Sequence, residues 1–221
     1  MNLQEQISRI QSMMGLLKEN NNLTLSDLGK KDQEMRNSDE NFDVNIDFEN
    51  QKQLKRIIGD NPQEFIDNVT DINDLENVWI VTQHADNDVE FQNMILDLFT
   101  NNKDKFIKKF PKQEQTIKQG IAMLTDRIMV NNSTSVKGYR DSEQNDFSDI
   151  SNGVQKFGTQ GGEYNGSWVP RPIKIGGQVY FFKTPEELYS DKEFLSKINN
   201  LRGNNGLLPL EDYVNNMQQF V

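Results

Sequence analysis

The stretch L-E-N-V-W-I-V-T-Q-H-A-D-N-D-V-E-F-Q-N-M-I-L-D-L-F-T, Leu75 to Thr100, decides how this chain folds. Val78, Val81, Ala85, Met94, Ile95, Leu98 and Phe99 recur at helical spacing, although the middle of the run is polar. Asp74 has the chemistry of an N-cap and Asn101-Asn102 that of a stop, so the pattern predicts one helix from Leu75 to about Thr100. A second helix is expected from Gln113 or Gln115 to Val130. Toward the N-terminus, Phe48 to Gly59 has helical character, and Asn61-Pro62 opens a proline-started helix that runs to Val69. Residues 20–50 are rich in Asn and Asp and poor in large apolar side chains, which reads as a polar linker or arm. Before them, Leu3, Ile7, Ile10, Met14 and Leu17 form the narrow seam of an amphipathic helix over residues 1–19.

Toward the C-terminus, residues 131–167 are dominated by Asn, Ser, Gly and Asp. Loops of this size are either functional or disordered. Trp168-Val-Pro-Arg-Pro-Ile173 is held extended by its prolines, and Gly176-Gly177 marks the turn of a small β-hairpin near residues 173–182. Thr184-Pro185-Glu186-Glu187 is a helix start with a capping threonine and early acids. Two short helices, about 186–201 and 210–218, close the chain. The expected fold is mainly α: a compact helical domain over residues 51–221 with one small hairpin, preceded by an amphipathic helix on a flexible arm.

Composition narrows the function classes. The formal charge is −10 and the pI about 4.7, so the chain repels a phosphate backbone, and general nucleic-acid binding is not expected. Its one basic cluster, Lys103, Lys105, Lys108, Lys109 and Lys112, alternates with Phe106 and Phe110 and reads first as a solvated helix end. Without cysteine there is no disulfide, no thiolate metal site and no thiol nucleophile. Met1 to Lys18 lacks the regions of a secretory signal and no run reaches bilayer-spanning length, so the expected setting is the cytoplasm and no membrane partner. Heavy use of asparagine, lysine and isoleucine is the pattern of an AT-rich coding genome.

His84 is the only histidine among 221 residues, and histidine is the side chain that changes charge nearest neutral pH. On a continuous helix His84, Asp88 and Gln92 would fall at i, i+4 and i+8, with Asp88 orienting the imidazole as a general base. The alternative is a structural histidine satisfied by Asp88 and a carbonyl. Leu124-Thr-Asp-Arg127 sets an acid beside an arginine. Arg127 could hold a phosphate or carboxylate bidentately, or could pair with Asp126 or Asp88 to tie two helices together. Arg171 and Arg202 extend this anion clamp. Phe157-Gly-Thr-Gln-Gly-Gly162 is glycine-rich but lacks the G-K-[ST] ending of a phosphate loop; Gln160 there could read a polar group. His84, Asp86 and Asp88 lack the glycine of a calcium loop. No metal and no cofactor are expected, and no Ser-His-Asp or Cys-His signature is present.

Five segments in order, Gln83 to Gln92, Leu124 to Arg127, Phe157-Gly-Thr-Gln160, Pro170-Arg-Pro-Ile173 and Arg202 through Gly206-Leu207 to Tyr213, resemble a family of bacterial domains of unknown function, family 6624. Its pattern is Q-H-A-D-x-D-x-x-F-Q, L-T-D-R, Y-G-T-Q, P-x-P-I and R-x-x-x-G-L-x-P-L-x-x-Y, and the likeness runs from about residue 50 to the end. This chain departs from it at Phe157, which replaces a tyrosine, and at Gly176 to Tyr189, which replaces an acidic stretch. The resemblance implies positions and a helical fold, not a reaction. The first 20 residues are similar to L-x-E-Q-I-x-R-I-x-x-M-M-G leaders of unrelated marine phage proteins, which implies a phage-encoded chain and a docking role for the leader.

The resulting expectation is a site for an anionic small molecule, nucleotide-like or sugar-phosphate, that is bound or hydrolysed. Its catalytic candidates are His84, Asp88 and Asp126, and its ligand contacts Gln83, Gln92, Arg127, Gln160, Arg171 and Arg202. The rival is a phage structural or accessory protein that docks on a virion or host protein through residues 1–19, its motif residues forming only a buried polar network.

Overall fold

The computed structural model describes residues 23–36, 44–133, 153–164 and 166–221. The expected leader helix and the middle of the long polar loop lie outside them. Among the described residues the protein is mainly α, with ten α-helices and two antiparallel two-stranded hairpins. It divides into two compact units, and the boundary falls between Ala85 and Asp86, inside the stretch that the sequence reads as one helix.

That stretch is two helices. One, α4, spans Ile72–Gln83 and the next, α5, spans Val89–Asn101. The N-cap of α4 is Asp71 rather than Asp74; its carboxylate accepts from the Asn73 N–H at 3.0 Å. The chain leaves α4 at His84, where the Ala85 N–H turns back onto the Thr82 carbonyl. Asp88 then restarts helix by accepting from the Phe91 N–H at 2.9 Å. The polar middle of the run is thus a stop followed by a cap: an N-cap aspartate satisfies an amide that a continuous helix would already have paired.

In the first unit, α1 (Leu25–Arg36) and the start of α2 (Val44–Ile58) occupy the region read as a polar linker, and the rest of α2 is the helix expected from Phe48. Thr24 and Asp27 start α1 with a capping box: the Asp27 N–H donates to the threonine hydroxyl at 3.2 Å, and the Asp27 carboxylate accepts from the Thr24 N–H at 2.8 Å. Leu25, Leu28 and Asp32 recur at three- and four-residue intervals on the buried face of α1, which packs on α4 and α2, while α2 packs on α4 and on α3 (Pro62–Asn68). Asn61 and Pro62 begin α3 as the sequence predicts. Leu28, Leu54, Ile58, Ile66, Leu75, Val78 and Val81 are buried in this unit; each such side chain contributes about 1.5–3 kcal/mol. At Gly29 the helices come so close that a Cβ would stand 1.9 Å from Asn77 Oδ1 on α4.

In the second unit, α5 and α6 (Lys103–Lys109) pack on α7 (Glu114–Ser133). Asn102 both ends α5 and opens α6, and Phe106 of the lysine-rich segment is buried against Phe99. The polar loop ends earlier than its composition implies. Strands β1 (Gly161–Tyr164) and β2 (Ser167–Pro170) form an antiparallel hairpin in register Gly161 to Pro170. The expected hairpin follows as β3 (Ile173–Ile175) and β4 (Gln178–Tyr180). Its turn places Gly176 and Gly177 at φ 58° and 87°, the doubly left-handed conformation that two-residue hairpins require. Helices α8 (Pro185–Ser190), α9 (Lys192–Asn204) and α10 (Leu210–Met217) complete the unit. Their core gathers Trp168, Ile173, Phe182, Leu188, Phe194, Ile198 and Leu210, and the Gln218 amide clamps the backbone N–H and carbonyl of Trp168 at 2.9 and 2.8 Å.

The close approach at Gly29 makes one prediction. Gly29→Val should destabilise the protein by about 1–3 kcal/mol through overpacking, read as a lower urea midpoint with an unchanged m-value. An unchanged midpoint would mean that α1 does not lie against α4.

Candidate functional site

Each unit concentrates polar side chains. In the first, His84 stands at the C-cap of α4, where the chain has left the helix and the ring is presented at its end. Asp32, one turn beyond Gly29 on α1, meets it: His84 Nδ1 lies 2.8 Å from Oδ1 and 2.9 Å from Oδ2. With its proton on Nδ1 the ring donates to this carboxylate and carries its lone pair on Nε2, which has no hydrogen-bond partner among the described residues. Asp32 is buried, whereas the His84 side chain is 22% exposed.

Arg36, one turn along α1 from Asp32, completes the cluster. Its Nε lies 3.2 Å from Asp32 Oδ2 and 2.9 Å from His84 Nδ1, and its other arm donates to Asp47 Oδ1 on α2 at 2.7 Å. The Nε–H of Arg36 thus reaches both the Asp32 carboxylate and His84 Nδ1, so the guanidinium and the carboxylate favour opposite tautomers of the ring. Burial alone would raise the Asp32 carboxyl, but the hydrogen bond and charge of His84, then those of Arg36, outweigh it and hold the group below its ordinary value. Two buried carboxylates face one guanidinium here, so a proton accepted on His84 brings the cluster's formal charge from −1 to zero.

In the second unit, Asp126 on α7 is fully buried and is enclosed by the Gly-Thr-Gln loop. Its carboxylate accepts from the backbone N–H groups of Lys156 at 2.8 Å, Phe157 at 2.9 Å and Thr159 at 2.9 Å, and from the Thr159 hydroxyl at 2.9 Å. Burial pushes the Asp126 carboxyl above its ordinary value, while these donors pull it back toward the ionised form. Arg202 on α9, also fully buried, donates to the carbonyls of Phe157 and, at 2.6 Å, Leu208, with its guanidinium 5.0 Å from the Tyr213 ring centroid. Burial pushes its pKa down to about 10, which leaves it charged at neutral pH. Tyr213 donates its hydroxyl to the Thr159 carbonyl at 2.9 Å. Gly206, at φ 73°, brings the following turn so near α7 that a Cβ would be 2.6 Å from the Gln115 carbonyl oxygen.

The same unit holds a partly exposed cluster around Arg127. Its Nε donates to Asp86 Oδ1 at 2.8 Å and its NH2 to Oδ2, a bidentate pair, while NH1 donates to Gln160 Oε1 at 3.2 Å. Asn131 donates to Asp86 Oδ1 at 3.0 Å and to the buried Gln92 at 3.1 Å.

These positions correct several expectations. Asp88 is a helix cap, and the residue that orients His84 is Asp32, because the helix on which Asp88 would have faced the ring is interrupted. Asp126 is committed to four donors and anchors a loop. Arg127 is tied to an acid as the sequence allowed, but the acid is Asp86 rather than Asp126 or Asp88, so its fork does not face a ligand. Arg202 is buried against carbonyls. Arg171 lends its backbone, its N–H donating to the Gln160 carbonyl at 2.9 Å and its carbonyl accepting from Gln155 at 2.9 Å. Gln83 is the half-buried last residue of α4. Arg127 and Gln160 are brought together, as are Gln92 and Asn131. Sequence reasoning missed Asp32, Arg36 and Asp47, although Asp32 and Arg36 stand at i and i+4 after a capping box.

The chain matches no protein-family model, and no curated protein and no solved structure shows significant similarity to it.

The two acids of the second unit should respond differently to truncation. Asp126→Ala leaves three buried amides without their acceptor and should cost roughly 3 kcal/mol or more. Asp86→Ala, at a pair about a quarter exposed on each side, should cost about 0.2–1 kcal/mol. Urea denaturation of both variants checks this, and equal losses would contradict it.

Proposed function

We propose that the protein acts on a small molecule through His84, with Asp32 orienting the ring and Nε2 serving as the proton acceptor. One observation carries this reading: the only histidine of the chain is held at Nδ1 by a buried carboxylate while its ring stays partly open to solvent. A base needs that arrangement, since the orienting acid fixes the tautomer that leaves Nε2 unprotonated. In a hydrolysis, Nε2 would take the proton of a water whose oxygen attacks the substrate. A nucleotide-like or sugar-phosphate ligand is the class proposed from the sequence; Arg36, which pairs with Asp32 and Asp47, adds no charge left over for it. Arg127 and Arg202 no longer support it, because one is paired with Asp86 and the other is buried. The family likeness to domains of unknown function 6624, a phage origin and a place in the host cytoplasm belong to the same proposal. Among the described residues, no helix is long and apolar enough to cross a membrane.

A second reading has its own observation. The motif residues Asp126, Arg202 and Tyr213 form a buried polar network around residues 156–159, as a structural or accessory protein would need. In that reading residues 1–19 dock on a virion or host protein.

A thermal-shift screen of wild type and His84→Ala against nucleotides and sugar phosphates separates the two. The proposal expects a compound that raises the wild-type midpoint and not that of the variant; at a hundred times its Kd it would stabilise the protein by about 2.7 kcal/mol. If no compound shifts either protein and His84→Ala loses roughly 1–3 kcal/mol, His84 is a structural residue.

A further inference from the structure

Helix α2 turns polar side chains inward: Asp47, Asn50 and Gln51 are all buried. Asp47 is committed to Arg36. Asn50, one turn further along the same face, is 1% exposed, and neither its Oδ1 nor its Nδ2 has a hydrogen-bond partner among the described residues. The same holds for the indole Nε1 of Trp79, five residues before His84 on α4, the helix against which α2 packs. Buried donors and acceptors are rarely left unpaired, because each forfeits its hydration without compensation. Here a complete amide, three residues after Asp47, and an indole N–H, five residues before His84, are left so.

We propose that Asn50 and Trp79 are the recognition groups for a planar edge of the ligand that sets a hydrogen-bond donor beside an acceptor, as a nucleobase or a carboxamide does. This inference rests on the reading of His84 as a ligand-acting base and names the part of the ligand which that reading leaves open. An asparagine amide reads such an edge bidentately, taking one hydrogen bond and giving one. Trp79 supplies a further donor, so the edge carries a second acceptor. Both groups are closed off from solvent, and binding therefore selects a form in which α2 and α4 have parted. A polar residue kept at such a position costs stability in the unliganded protein, so its removal and its use pull in opposite directions.

The test is calorimetric titration of the full chain with adenosine, uridine and nicotinamide, with ribose 5-phosphate as the control that lacks the edge. Wild type, Asn50→Leu, Trp79→Phe and His84→Ala are compared, with thermal midpoints of the unliganded proteins. Binding of at least one of the first three probes is expected, with affinity reduced tenfold or more in both Asn50→Leu and Trp79→Phe. The unliganded Asn50→Leu protein should melt at or above the wild-type midpoint. Adenosine or uridine binding assigns a nucleobase, and nicotinamide binding alone assigns a carboxamide. The proposal is overturned if none of the three binds, if their affinities are unchanged in both variants, or if Asn50→Leu melts several degrees lower, which marks the amide as solvated structure. Loss of ribose 5-phosphate binding in His84→Ala, with nucleoside affinity indifferent to Asn50, overturns this inference and leaves the His84 reading standing. The converse pattern overturns the His84 reading and leaves Asn50 and Trp79 as contacts to a ligand on which His84 does not act.

Discussion

The second unit depends on a buried negative charge. Taking a carboxylate out of water costs several kcal/mol even after the protein relaxes around it, and Asp126 is tolerated because residues 156–159 direct three amides and a hydroxyl at it. The dependence runs both ways, since a loop rich in glycine and polar residues has little apolar surface of its own to hold it in one conformation. With the loop pinned, Phe157 packs with Ala122 and Leu207, its carbonyl receives Arg202, and the Thr159 carbonyl receives Tyr213. The arginine stays charged but meets carbonyl oxygens and an aromatic face rather than an acid. Three of the five motif segments, Leu124 to Arg127, Phe157 to Gln160 and Arg202 to Tyr213, are joined in this way by their polar atoms as much as by their apolar ones.

The first unit handles a buried acid differently. Asp32 is also removed from solvent, yet its partners are two side chains that reach the surface, His84 and Arg36, rather than a closed ring of amides. A carboxylate surrounded by backbone donors has nothing left to exchange. One whose partners are an imidazole and a guanidinium at the surface keeps them in reach of solvent. The close packing permitted by Gly29 is what brings α1 near enough to α4 for this contact.

Much of this architecture was legible in the sequence, and the exceptions have physical causes. The α7 helix, the hairpin at Gly176-Gly177, the proline-started α3 and the threonine cap of α8 follow from local rules that tertiary contacts did not override. The break at residues 84–88 was missed because apolar periodicity looks alike in one long helix and in two; the deciding signal was Asp88, read as the acid that orients His84 and not as a cap. Residues 25–36 and 44–50 looked like linker because their buried faces contain Asp32, Asp47 and Asn50 in place of hydrophobic residues, so composition underestimates what they bury. Thr24 to Asp27 was the legible exception. Strands β1 and β2 were hidden by glycine and asparagine, and they are held partly by Gln218 from the far end of the chain, a contact that no local window contains. The acid beside His84 was not legible in the sequence: Asp32 lies 52 residues from His84, and nothing in the spacing of either residue specifies the other.

The claim on which the functional account turns is that Asp32 fixes His84 with its proton on Nδ1 and its lone pair on Nε2. Because the chain has a single histidine, long-range ¹H–¹⁵N correlation on the uniformly labelled protein observes this ring alone. At a pH where the imidazole is neutral, the account predicts a protonated, pyrrole-type Nδ1 and an unprotonated, pyridine-type Nε2. The opposite assignment, with the proton on Nε2 as in a free imidazole side chain, would contradict it and leave His84 without the geometry of a base.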